Sequence, residues 1–142
     1  MSATIVAVLL SLAAIFGSTI FHYEALNQIR KFARIRQRPH LTIPTVLTFV
    51  ILAHICEILI YLVVYIFAAG PLQLGHFSGE HSGMLGLFYF AAETYSSLGA
   101  GQTTPHGELR VIASISSLNG ILLLAWSGAF LYAVTDRLSP RK

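Results

Sequence analysis

Ser97-Leu98-Gly99-Ala100-Gly101 combines small side chains with glycines at alternate positions. Glycine adopts φ angles denied to other residues, so successive carbonyls along such a strand can point the same way. The preceding stretch, Met84 to Tyr95, is apolar and aromatic with a single charge, Glu93. Its roughly 12 residues make a helix of about 18 Å, too short to cross a hydrocarbon core of about 30 Å. A short helix followed by irregular backbone at membrane depth is a re-entrant loop. Such backbone is tolerated only where it is buried in protein or lines a water-filled path.

At these residues the chain resembles the pore loop of the potassium-channel superfamily. Ser97-Leu98-Gly99-Ala100-Gly101 sits on that family's Thr-Val-Gly-Tyr-Gly filter, whose carbonyl oxygens replace the hydration shell of a potassium ion. Glu93 and Thr94 precede the filter at the family's spacing, and Pro105 follows as its outer-mouth proline does. Ala100 replaces the filter aromatic and Gln102 the following aspartate. The resemblance covers about residues 43–135 and implies a homotetramer, since one loop supplies one wall of a carbonyl ring. It also implies monovalent cation sites at the carbonyls of Ser97, Leu98, Gly99 and Ala100, closed by Gly101, with Glu93, Thr94 and Gln102 as support. Potassium is then the permeant ion and no cofactor is expected. A Glu93–Gln102 hydrogen bond would brace the filter, and Tyr89, Phe90 or Tyr95 would fill the space the missing aromatic leaves. Gly120 falls near the family's inner-helix hinge glycine. Ser116, Asn119 and Ser127 share a stripe through Leu123 that is either a cavity wall or polar glue between packed helices.

Composition sets the class. The chain has 142 residues, 55% hydrophobic and 11% charged, where a soluble domain carries about twice that charge. With a mean hydropathy of +0.70 it reads as an integral membrane protein. A pI near 9.3 invites a nucleic-acid partner, but the charges cluster beside apolar runs, so none is expected. Cys56, the only cysteine, lies in such a run and reads as a small buried hydrophobe.

Three runs are long enough to span. Ala3 to Phe21 carries no charge and lacks the basic lead and small-residue cleavage site of a signal peptide. Residues 22–42 hold Arg30, Lys31, Arg34, Arg36 and Arg38, five of the nine Lys/Arg. The positive-inside rule puts this segment in the cytoplasm and the N-terminus outside. Leu26, Ile29, Phe32 and Ala33 suggest an interfacial helix ended by Pro39. Its arginines are too crowded, and too polar in setting, for a voltage sensor. The second span covers about Ile43 to Ala69, residues 70–83 form an outer turret, and the last span covers about Leu109 to Val134. Arg137, Arg141 and Lys142 then place the C-terminus inside.

The remaining chemistry-bearing residues are few. His54, Glu57 and Tyr61 share a face of the second span, and ionisable groups at that depth are functional candidates. An interhelical polar contact is the plainer reading. His76, Glu80 and His81 in the turret form no closed ligand set, and no paired nucleophile and base is visible, so no enzyme is expected. The expected fold is an all-α membrane protein with three transmembrane helices and a re-entrant pore helix and filter loop between the second and third. Its regions are 1–42 (first helix and basic segment), 43–135 (pore) and 136–142 (tail). The expected partners are further copies of the chain, monovalent cations and plasma-membrane lipid. A non-selective cation pore or a non-conducting scaffold of the same fold would also satisfy the sequence.

Overall fold

The computed structural model describes residues 2–35, 38–79, 83–99 and 103–138. In chain order the elements are α1 (Ala3–Ile35), α2 (Pro39–Ala69), β1 (Phe77–Ser78), α3 (Met84–Ser96), β2 (Thr104–Pro105) and α4 (Leu109–Leu138). Stretches of α1, α2 and α4 are long and apolar enough to cross a membrane, whereas α3 has only 13 residues. The chain is a multi-pass membrane protein in which a short, non-spanning helix lies between the second and third spans.

α1 corrects one expectation. There is no separate interfacial helix after Phe21, because α1 continues unbroken for 33 residues, roughly 50 Å. The apolar face foreseen at Leu26, Ile29 and Ala33 exists, but it is buried against Val46, Val50, Phe130 and Val134 rather than laid in the interface. α2 begins where proline is tolerated: Pro39 occupies the first helical position, where a missing N–H costs nothing, and Arg38 before it is extended. The helix closes at Gly70, whose N–H reaches the Ile66 carbonyl at 2.9 Å.

α1 packs on both α2 and α4, and α3 is wedged between α2 and α4. The buried residues of α4 are Leu109, Ile112, Ser116, Asn119, Gly120, Leu123, Ser127, Phe130 and Val134. Their spacing of three and four residues makes a single inward stripe. On α1 the corresponding stripe is Ala7, Ser11, Ala14, Ser18, His22, Leu26, Ile29 and Ala33, mostly small residues where the backbones approach closely. β1 and β2 pair antiparallel, Phe77 with Pro105 and Ser78 with Thr104, and tie the chain after the loop to the turret. Gly107, at φ +65°, lets that return pass close to Leu74, whose carbonyl accepts from the Glu108 N–H at 2.8 Å.

Candidate functional site

The end of α3 is shaped by its cap. Ser97 sits in the left-handed region at φ 58°, ψ 26°. Its N–H donates to the Thr94 carbonyl and the Leu98 N–H to the Glu93 carbonyl, both at 3.1 Å. This is a Schellman arrangement, in which the left-handed position is usually glycine. Gly99 follows at φ +99°, so left-handed backbone recurs at alternate residues as the chain leaves the helix. The Ser97 hydroxyl lies 2.7 Å from that of Ser117 on α4. Leu98 is 83% exposed in the single chain. Ala100, Gly101 and Gln102 fall outside the described residues, as do Glu80 and His81. Glu93 and Thr94 are half-buried on α3.

Behind this end lies a buried polar constellation drawn from all four helices. Glu57 of α2 is completely buried. Its Oε1 is 2.7 Å from Nδ1 of His22 on α1, and its Oε2 is 2.9 Å from Nδ1 of His54 one helical turn away. The Tyr95 hydroxyl, in the last turn of α3, donates to the same Oε2 and lies 2.9 Å from His54 Nδ1. His54 Nε2 reaches the Ser127 hydroxyl of α4 at 2.9 Å, with His22 Nε2 at 3.4 Å. Trp126 packs on the His22 ring at a centroid distance of 5.2 Å. A buried carboxylate needs this density of partners, because taking the charge from water costs several kcal/mol.

Three further polar contacts tie the span helices together. Asn119 donates to the Ser18 hydroxyl at 2.9 Å and to the Tyr61 hydroxyl at 3.0 Å, joining α4 to α1 and α2. Tyr65 and Ser116 share a hydroxyl contact at 2.6 Å.

The residues singled out from the sequence are therefore sorted by burial. Ser116, Asn119 and Ser127, offered as cavity wall or as helix glue, are all buried within the chain and bonded to α1 or α2. Gly120 packs against the last turn of α3: a Cβ there would lie 1.9 Å from the Tyr95 carbonyl oxygen. Of the three aromatics considered for the space beside Ala100, Phe90 packs on Tyr65 and Phe77, Tyr95 points to Glu57, and Tyr89 is half exposed. His76 stacks on His106 at 4.7 Å, and His106 Nε2 lies 2.7 Å from the Ser78 hydroxyl. Cys56 is exposed on the helix surface, not buried as its apolar setting suggested.

His22 went unnoticed in the sequence because it closes the first apolar run and abuts the basic segment. The signal that finds it is the small-residue stripe of α1, where it follows Ser18 at four residues.

A family model described as "Ion channel" matches residues 45–136, from near the start of α2 through the loop to near the end of α4. No curated protein and no solved structure matches the chain.

Proposed function

Because the chain belongs to the ion-channel family, we propose that it forms a homotetrameric cation pore that conducts potassium through backbone carbonyls. The family is of a non-catalytic class, so passive flux rather than a reaction is what its geometry has to account for. The observation that carries the reading is the end of α3. A helix too short to span stops between two membrane-length helices, and left-handed residues follow it at Ser97 and Gly99. Four such loops around an axis would form a carbonyl ring from Ser97, Leu98, Gly99 and Ala100, completed by Gly101. Glu93, Thr94 and Gln102 would support it, and the C-terminal end of the α3 dipole would favour a cation in the cavity beneath. Residues 43–135 make this pore unit, and α1, with its basic extension, is an added outer helix. The N-terminus lies outside and the 136–142 tail in the cytoplasm, following the arginines at the end of α1.

The inward stripe of α4 packs within the chain, so the cavity wall belongs to its opposite face, where Leu118 and Leu122 are exposed. Gly120 is better accounted for by close packing on Tyr95 than as a hinge. Ala100 and Gln102 favour weaker discrimination between potassium and sodium than an aromatic and an aspartate would give. The test is reconstitution of purified protein in liposomes, with cross-linking to count subunits. A four-fold assembly passing potassium faster than sodium supports the reading. Equal rates make it a non-selective pore, and a monomer without flux rejects it.

A further inference from the structure

With Glu57 ionised and both imidazoles neutral, the buried constellation is one hydrogen short. An ionised carboxylate only accepts, so His22 and His54, whose Nδ1 atoms lie 2.7 and 2.9 Å from it, must each donate from Nδ1. With neutral rings, both Nε2 atoms then carry lone pairs, and both face the hydroxyl of Ser127, at 2.9 Å from His54 and 3.4 Å from His22. That hydroxyl has one hydrogen to give. One imidazole nitrogen is left facing oxygen with no hydrogen between them, beside a buried negative charge that neutral rings do not offset.

We propose that this constellation is a binding site for a divalent cation of the zinc class. Its ligands are His22 Nδ1, His54 Nδ1 and the Glu57 carboxylate, with the Tyr95 hydroxyl oxygen as the fourth. A cation between them takes both Nδ1 lone pairs and moves the ring hydrogens to Nε2. Both N–H groups then donate to Ser127 Oγ, whose two lone pairs accept them. Metal-bound histidines commonly have this outer support, their second ring nitrogen donating to a fixed oxygen.

The geometry and the donor types agree with that ion. One atom from each of His22, His54 and Glu57 lies within 4.8 Å of the others, and all three residues are buried. Tetrahedral zinc, with bonds of about 2.0–2.1 Å, sets its ligands about 3.3 Å apart, so the two imidazole–carboxylate contacts would open by about half an ångström and the Tyr95–Glu57 contact by more. Two imidazoles and a carboxylate suit zinc better than a hard cation such as calcium, which takes oxygen ligands alone. The ion would join α1, α2 and the last turn of α3, two residues before Ser97. It is a clamp behind the loop, and its existence does not depend on what the loop conducts.

The test uses full-length protein in detergent, with any affinity tag removed, stripped by chelator and dialysed against Zn²⁺ alone. We expect about one tightly held zinc per chain by elemental mass spectrometry. His22→Ala and Glu57→Gln should lose it, and Ser127→Ala should weaken binding about 10- to 100-fold. His54→Cys keeps a ligand, so with Co²⁺ it should gain a thiolate charge-transfer band over the parent spectrum, which a misfolded variant would not show. The stacked pair is controlled by His76→Ala with His106→Ala, which should bind zinc like the parent. The proposal fails if the stripped parent takes up no zinc, if the metal is lost with His76 and His106 instead, or if His54→Cys brings no new band. Failure by the first route would leave a hydrogen-bond network completed by a proton.

Discussion

Gly120 of α4 lies so close to the backbone of Tyr95 that a Cβ placed on it would meet the Tyr95 carbonyl oxygen at 1.9 Å and its ring at 3.1 Å. The contact is with backbone, which cannot swing aside as the tip of a side chain would. It fixes the separation of α4 from the last turn of α3, and so the position from which the loop departs.

Gly120→Ala should therefore overpack this junction and destabilise the protein by about 1–3 kcal/mol. Gly128, on the same helix, has nothing within 4 Å of its would-be Cβ. Gly128→Ala should be neutral, or stabilising by about 0.5–1 kcal/mol, because it removes a flexible residue from a helix interior. Thermal unfolding of the purified variants in one detergent checks the pair. A Gly120→Ala variant as stable as the parent would contradict the close packing.

Asn119 bridges Ser18 of α1 and Tyr61 of α2 from a buried position. Asn119→Ala removes the donor shared by these two hydroxyls and should cost about 1–2 kcal/mol, the upper range for polar contacts between membrane helices. A double-mutant cycle with Ser18→Ala should give a coupling of about 0.5 kcal/mol or more. Strict additivity would mean that the Asn119–Ser18 contact holds nothing.

Tyr95→Phe removes only the hydroxyl that ties α3 to Glu57 and His54. It should lower stability by about 1–3 kcal/mol by leaving a buried acceptor short of a donor. It should also broaden ion selectivity in liposome flux, because the last turn before the loop loses its anchor. Tyr61→Phe removes a comparable buried hydroxyl, the partner of Asn119. That variant should lose stability with selectivity unchanged. Equal flux behaviour in the two variants would remove the link between Glu57 and the loop.

Ser97 occupies a left-handed cap at φ 58°. Ser97→Gly should preserve the cap and relieve about 1 kcal/mol of backbone strain, while giving up the hydroxyl contact with Ser117. Ser97→Val places a branched side chain in that conformation and should destabilise by at least about 1–2 kcal/mol. Unfolding midpoints ordered Gly above Val support the cap geometry, and the reverse order contradicts it.

The spans and the short helix between them were legible in the sequence because they rest on local quantities. The length of each apolar run is compared with one bilayer thickness, and the small, glycine-spaced stretch from Ser97 cannot extend a helix that Met84 begins. The inward stripe of α4 was visible too, since Ser116, Asn119, Leu123 and Ser127 recur at helical spacing. What that stripe faces was not visible. In lipid, a face turned to other helices and a face turned to the membrane can be equally apolar, so hydropathy does not tell them apart. Only the packed structure turns Ser127 toward His54, and Asn119 toward Ser18 and Tyr61. The same limit hid His22. It lies 35 residues from Glu57 along the chain, and whether they meet depends on the rotation and depth of α1 against α2. No local spacing encodes that rotation. It is decided by the small residues Ala7, Ser11, Ala14 and Ser18, which let α1 approach closely enough to put an imidazole against a buried carboxylate.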